Sequence, residues 1–476
     1  MTKEKFKGKT DEEFKTLYNE GFSATNIYVQ DLQNQLIKAK EKLNTSSKNS
    51  SKPSSKDNNK RPNSRKKSGK PSGGQPGHKG STLRLNDNPD TTILIEPTDC
   101  HCGHLFTGEE IIVSEERRQE IDIPKPITIT KEYKSIKYIC PVCGEIHSGE
   151  FPNHIKAPIQ YGTNLKAYLV YLNNFQLLPY KRTVDLLANL HNLQISEGTI
   201  DNILEEFSGK IDTPIELIKK AIIDSEKAHA DESGLRSEGK RKWLHVIGNE
   251  NYTYYFFHKS RGKNAVDEAD VLPHFKGTLC HDFWTTYFQF DKCEHSLCNA
   301  HHLRELQGII DNYGYSWAKK MKSFLEKTNK LVKNAKENER EKLSDTILAK
   351  LDKEYDEIIK NAFIETPPPP PRKKGQRGRI PKGKALCLLE RLNNYKDAIV
   401  DFITDFKKPF DNNLAERDVR MIKVKEKISG TFRSDKGAQR FCKIRSLIST
   451  AIKQNQNVFE TIKNIFLGES FLENLN

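Results

Sequence analysis

The sequence predicts a multidomain α+β chain, and three observations predict it. At 476 residues the chain is longer than one hydrophobic core usually serves. The period of its apolar residues changes along its length, with short alternating segments over 91–158 and 227–282 and helical spacing over most of the remainder. Two stretches break these patterns: an apolar-poor region from about Asn44 to Asn86, and five consecutive prolines, Pro367 to Pro371.

A formal charge of +14 draws the molecule toward polyanions, and nucleic acid is the first partner to test. Lysine excess also arises from AT-rich coding, so motifs must carry the argument. No apolar stretch approaches the roughly 18 residues that span a bilayer, and Met1-Thr2-Lys3-Glu4 lacks the apolar core of a leader, so a cytoplasmic location is expected. Nine cysteines, four of them in two close pairs, suggest metal rather than disulfides in such a compartment.

In chain order, 1–44 is expected to be helical. Val29, Leu32, Leu36, Ala39 and Leu43 recur in a 3-4-3-4 spacing, which suits either a short coiled coil or an amphipathic helix packed on its own chain. Residues 45–90 form a basic linker, with Lys and Arg clustered from Lys60 to Lys70. Over 91–158, Thr91 to Ile95 and Ile127 to Thr130 alternate as strands of a small β-rich unit. Residues 159–220 turn helical. Two apolar-periodic runs, Val184 to Leu190 and Gly198 to Phe207, are separated by Asn192 to Glu197, and Ser196 is placed to cap the second. That pattern fits a helix-turn-helix reading DNA or plain helical packing.

Four strands are expected within 221–306: Lys227 to Ser233, Lys242 to Gly248, Tyr252 to Lys259 and Gly277 to Asp282. The Lys/Glu-rich stretch 315–363 reads as an inserted helical hairpin. It is followed by the proline run and an extended basic loop, Arg372 to Arg379. Helical pattern resumes at Ala385 and continues through 406–455 to a tail at 456–476.

Three acids stand out. Asp231 ends the first strand of the central region and Asp282 ends the fourth. Their separation, 282 − 231 = 51 residues, is enough for a ribonuclease-H-like half-sheet to bring both strand ends together. Carboxylates at neighbouring strand ends can share hard divalent cations, one ion activating an attacking oxygen and the other steadying the leaving one. Either aspartate could instead cap a loop or helix. On a helix, Glu416, Arg420 and Lys423 fall at i, i+4 and i+7, so one face offers an oxygen ligand followed by two cations. A phosphodiester substrate needs that arrangement, although an exposed Glu–Arg pair has the same spacing.

The pairs Cys100/Cys102 and Cys140/Cys143 can close a tetrahedral structural zinc site. Cys-x-Cys is tighter than the usual knuckle, so His104 or His147 is an alternative ligand, and unligated cysteines are the competing reading.

The run Phe410-Asp411-Asn412-Asn413-Leu414-Ala415-Glu416-Arg417, continuing through Lys425-Glu426-Lys427-Ile428-Ser429-Gly430-Thr431-Phe432-Arg433-Ser434, resembles the C-terminal signature of the insertion-sequence 66 family of DDE transposases. The segments Gly73-Gly74-Gln75-Pro76-Gly77-His78-Lys79-Gly80, Ala230-Asp231-Glu232-Ser233 and Cys298-Asn299-Ala300-His301 are similar to the same family. The resemblance implies that Asp231, Asp282 and Glu416 are the catalytic triad, holding two Mg²⁺ or Mn²⁺ ions. It also implies a helical insertion, 307–405, dividing a catalytic domain at 221–306 and 406–455. The implied partner is double-stranded DNA, as element terminal inverted repeats and as target, bound by at least a dimer. The zinc-ribbon-like unit and helical region would then serve DNA binding.

Gln75, His78, Lys79, Arg420, Lys423, Lys425 and Lys427 are the candidate DNA contacts. Cys298 and His301 are expected to order the helix beside the site. Glu305 competes with Glu416 but lacks a cationic face after it. A transposase-derived DNA-binding regulator without chemistry, and a ribonuclease acting on RNA–DNA hybrids, are the alternative functions.

Overall fold

Five strands at the centre of the chain form one mixed sheet, and the helices are distributed around it. The computed structural model describes residues 10–50, 85–109, 111–122, 128–369 and 382–472. Lys60 to Lys70, Gln75, His78, Lys79 and the Arg372 to Arg379 loop lie outside the described residues.

The order begins with α1 (Asp11–Asn19) and α2 (Phe22–Asn44), then the hairpin β1 (Lys137–Ile139) and β2 (Ile146–Ser148). Helices α3 (Thr163–Val170), α4 (Tyr180–His191), α5 (Glu197–Gly209) and α6 (Asp212–Ile223) lead into the sheet. Its strands are β3 (Lys227–Ser237), β4 (Lys240–Gly248), β5 (Thr253–His258), β6 (Thr278–His281) and β7 (Glu294–Leu297), with the short α7 (Lys263–Glu268) preceding β6. Helices α8 (Asn299–Tyr313), α9 (Ser316–Glu337), α10 (Asp345–Glu365), α11 (Lys384–Asn394) and α12 (Lys396–Thr404) follow, then α13 (Asn413–Ser429), α14 (Asp435–Lys453) and α15 (Val458–Leu467). None of the helices among the described residues is long and apolar enough to cross a membrane.

The sheet order is β5-β4-β3-β6-β7. β3, β4 and β5 pair antiparallel, whereas β6 and β7 run parallel to β3. Side chains alternate across a strand, so each strand feeds two cores. Ala228, Ala230, Ile247, Tyr254 and Leu279 join a core built with α3, α5, α6, α14 and α15. Leu235, Leu244, Val246, Tyr255 and Phe257 join another with Ala415, Val419 and Ile422 of α13 and Phe441 of α14. Helices α8 to α12 share a core around Trp317, Phe324, Tyr355, Leu389 and Phe402, with the Trp317 indole N–H donating to Thr366 Oγ1 at 2.9 Å.

At the N-terminal side, the end of α2 docks on α8. Glu41 meets Tyr313 and pairs with Lys384 at 2.9 Å, and Asn49 Nδ2 donates to Asp311 Oδ2 at 3.0 Å. Gly308 permits this approach, because a Cβ there would sit 2.5 Å from the Asn49 carbonyl oxygen. Leu36 and Leu43, on the apolar seam, stay exposed.

Two expectations change. Thr91 to Ile95 forms no strand, nor do the described residues of the second segment, Thr128 to Thr130; the hairpin β1–β2 lies downstream instead. Ile93, Leu94 and Ile95 are 80%, 79% and 93% exposed, so the alternation there has neither a partner strand nor a core to face. Between the two readings of α5, DNA contact or plain packing, its contacts favour packing: it buries Ile200, Ile203, Leu204 and Phe207. Its Asp201 and Glu205 pair with Arg440 of α14, and Glu205 also meets Lys436 at 2.8 Å. An acidic face clamped to another helix suits packing and repels a phosphate backbone. Ser196 caps α5, its Oγ accepting the Thr199 N–H at 3.0 Å. Ser196→Ala should therefore cost about 1 kcal/mol, read as a lower urea midpoint at unchanged slope.

Candidate active site

β3 and β6 run parallel with His229 opposite Cys280. Two residues further along that register, Asp231 stands opposite Asp282, and equal parity puts both on the same face. β6 and β7 pair His281 with Leu297, so Cys298 continues the row beside Asp282. Asp231 does not end its strand, because β3 continues to Ser237 along β4; it lies midway along β3, level with the carboxyl ends of β6 and β7, just past which sit Asp282 and Cys298. Ligands of open α/β sheets bind at such ends.

The face they share is the one covered by α13. Asn412, only 1% exposed, pins the start of that helix to the sheet. Its Oδ1 meets His229 Nδ1 at 2.9 Å, its Nδ2 donates to the Ala230 carbonyl at 2.8 Å, and its backbone N–H donates to Cys298 Sγ at 3.2 Å. Glu416 N donates to the Asn412 carbonyl at 3.1 Å, so the glutamate sits one helical turn from this pin.

Asp231 is mostly buried, and its carboxyl is raised well above the usual carboxylate range. Burial is the first cause, followed by the negative charges of Glu232, Asp282 and Glu416. The three predicted acids therefore act on one another electrostatically. Asp231 Oδ1 accepts the N–H of its neighbour Glu232 at 2.8 Å within β3, capping neither loop nor helix, whereas Asp282 Oδ1 accepts the Trp284 N–H at 3.0 Å and so caps the loop after β6. Glu416 is oriented by cations, with Oε1 3.2 Å from Arg304 Nη2 and Oε2 3.3 Å from Arg420 Nη2. An all-oxygen donor set with one carboxyl pushed upward by like charge suits a hard divalent cation, which would relieve that repulsion.

Glu305 takes a different place. It pairs with Arg391 Nη1 at 2.5 Å, and that guanidinium lies over the Phe283 ring. Asp282 is among the charges acting on Glu305, but burial is the main reason its carboxyl is raised.

Sequence reasoning gave no role to Glu232. Parity turns it to the opposite face, where its buried carboxylate meets Arg261 and accepts from the Tyr287 hydroxyl at 2.9 Å. Burial first, then Asp282, raises it to about 6. Arg261 in turn lies over the Trp284 and Trp243 rings, so the loop that carries Asp282 is braced from behind. Arg304 and Asn412 were also missed. The signal for Asn412 lay only in its place four residues before Glu416.

Of the candidate DNA contacts on α13, Arg420, Lys423 and Lys427 are exposed. Lys423 bonds the Gly234 carbonyl and Glu426. Lys425 folds back over the Phe432 ring, 3.7 Å from its centroid, and donates to the Gly430 carbonyl at 3.2 Å. Burial pushes its ammonium down to about 8, which marks a packing residue rather than one offered to phosphate.

The cysteine pairs form two similar turns. Gly103 N donates to the Cys100 carbonyl and Gly144 N to the Cys140 carbonyl, with both glycines in the left-handed region at φ +90° and +78°. Backbone N–H groups hold the Cys102 and Cys140 thiols below their usual range. The four sulfurs do not gather into the expected tetrahedral set. Among the described residues, the ligand atoms that lie within 4.8 Å of one another belong to Cys143, Glu145 and His147, and to Cys298, His301 and Glu416. The reason is local: the hairpin β1–β2 brackets only the second turn, and among the described residues no strand pairing ties the first to it.

A search of curated proteins finds no match to the chain. A sequence model described as a family of unknown function matches residues 9–84. A second, described as the transposase IS66 family, matches residues 158–440, which span the sheet, the acidic face and the insertion. With more than half its length so matched, the chain belongs to the IS66 family of transposases.

Proposed function

We propose that the protein cuts and rejoins DNA at the acidic face, with Asp231, Asp282 and Glu416 as a metal-holding triad. The observation that carries this reading is the shared face: the strand register aligns Asp231 with Asp282, and α13 covers that face with Glu416 in its first turn. The mixed strand order, β5-β4-β3-β6-β7, supports a ribonuclease-H-like catalytic domain. Glu416 is preferred to Glu305 because it acts on Asp231, while Glu305 is engaged by Arg391.

Two divalent cations bound there would supply charge stabilisation to the attacking and leaving oxygens of an in-line displacement. Asp231, within β3, and Asp282, just past the end of β6, each hold a backbone N–H with one oxygen and would present the other to the cations. Glu416 completes the set and is aimed by Arg304 and Arg420. Arg420 and Lys423, exposed one and two turns after Glu416 on α13, would steady the phosphates. In the first step a water oxygen attacks phosphorus, the bond to the 3′ oxygen breaks, and a 3′-OH and a 5′-phosphate result. In the second, that 3′-OH attacks a phosphorus of target DNA, the bond from that phosphorus to the target's own 3′ oxygen breaks, and the displaced oxygen leaves as a 3′-OH on the cut target strand. Bringing two element ends together requires at least two copies of the chain.

The test is Mg²⁺-dependent cleavage of a labelled element end. Wild-type protein should cut it, and Asp282→Ala should bind the end without cutting. Unchanged cleavage by Asp282→Ala would defeat the assignment, and cutting of an RNA–DNA hybrid but not of the repeat-bearing duplex would favour a ribonuclease.

A further inference from the structure

We propose that Cys298, His301 and Glu416 form a binding site for a thiophilic divalent cation such as Zn²⁺, and that its occupancy withdraws Glu416 from the acidic site next to it. The second half rests on the triad reading above; the first does not. A thiol sulfur, an imidazole nitrogen and a carboxylate oxygen already lie within 4.8 Å of one another. That set of donors selects zinc over magnesium, which takes oxygen ligands and avoids thiolate.

All three residues stand on fixed elements. Cys298 N donates to the His281 carbonyl at 3.0 Å, and His301 N donates to the Cys298 carbonyl at 3.1 Å, which places the two side chains about one turn apart at the start of α8. Glu416 comes from α13, held by the Asn412 pin.

His301 supplies an independent pointer. Its Nδ1 is buried, lacks a hydrogen-bond partner and lies 3.7 Å from Glu416 Oε1. Such an atom is costly to leave unsatisfied, and a cation between nitrogen and carboxylate satisfies both. Burial pushes the Cys298 thiol up to about 12, and the Asn412 N–H that its Sγ accepts at 3.2 Å opposes that rise without reversing it, so a cation bound here must displace the thiol proton. On binding, the thiol proton leaves to solvent as the sulfur–metal bond forms, and water fills the fourth position. Arg304, which now bonds Glu416 Oε1, is the group the cation displaces.

The experiment titrates Co²⁺, a spectroscopic stand-in for Zn²⁺, into metal-stripped full-length protein and follows the thiolate-to-cobalt absorption. Cys298→Ser and His301→Gln are compared with wild type, the cysteines near residues 100 and 140 being left intact in all three. The expected result is one thiolate-bound cobalt fewer in each variant, with affinity at this site weakened by at least ~10-fold. In parallel, Zn²⁺ should inhibit Mg²⁺-dependent cleavage by wild type, and the degree of inhibition should fall in Cys298→Ser. Equal cobalt stoichiometry and absorption in the three proteins would overturn the proposal. So would zinc anomalous scattering from wild-type crystals that shows no peak bonded to Cys298 Sγ, a measurement that needs no variant. Should the cobalt signal change as expected while no protein cleaves DNA, the cation site stands and the triad reading falls.

Discussion

Asp231→Asn should abolish metal-dependent cleavage, by at least ~1,000-fold, the scale of the several kcal/mol that metal-held charge supplies. The same substitution should raise the melting temperature of the metal-free protein at pH 8. Burial and the charges of Glu232, Asp282 and Glu416 all oppose ionisation of this carboxyl, so a neutral amide removes a cost that the folded state bears without metal. The local hydrogen bond survives, because Asn Oδ1 can still accept the Glu232 N–H. Mg²⁺ should stabilise wild type against heat and leave the variant unchanged, since a ligand stabilises only the fold that binds it. Loss of stability in the metal-free variant would mean that the carboxylate serves as structure alone.

A second large effect is expected away from the chemistry. Asp401, on α12, is 8% exposed; its Oδ1 accepts from Ser296 Oγ at 3.3 Å and its Oδ2 has no partner. Burial raises the carboxyl to about 7, against an ordinary 3.8. A folded-state pKa above the unfolded one means that the fold is favoured while the group is protonated. That contribution is complete below pH 4 and is lost as pH rises toward 7. Asp401→Asn should accordingly stabilise by at most roughly 4 kcal/mol at pH 8, from about 1.4 kcal/mol per pKa unit, and by almost nothing near pH 4. Urea unfolding at the two pH values measures the difference. An equal gain at both would assign the effect to packing.

Much of the sheet was legible because β3 to β6 alternate or run apolar between turn residues. β7 was not, because Glu294-His295-Ser296-Leu297 carries little apolar signal and is a strand through its backbone pairing with β6. The opposite error arose at Thr91 to Ile95, where alternation exists with nothing to pair against. Asp282 could be read from its position at a strand end and Glu416 from its helical spacing to Arg420 and Lys423, whereas Asp231 lies midway along β3, which runs on to Ser237 beyond the strand expected from the sequence. The groups that align them could not. Asn412 reaches Ala230 across 182 residues, and Glu416 reaches Arg304 across 112, and neither contact leaves a local pattern. Lys425 shows the limit of spacing from the other side. It lies within the cationic run, yet its ammonium folds onto the Phe432 ring and leaves the side chain half-buried.

Convergence of the three acids on shared cations is tested most directly by anomalous scattering from crystals soaked in Mn²⁺. Manganese bonded to carboxylate oxygens of Asp231, Asp282 and Glu416 together is the expected result. Manganese bound to the two aspartates while Glu416 remains paired with Arg304, or bound to none of the three, would contradict it.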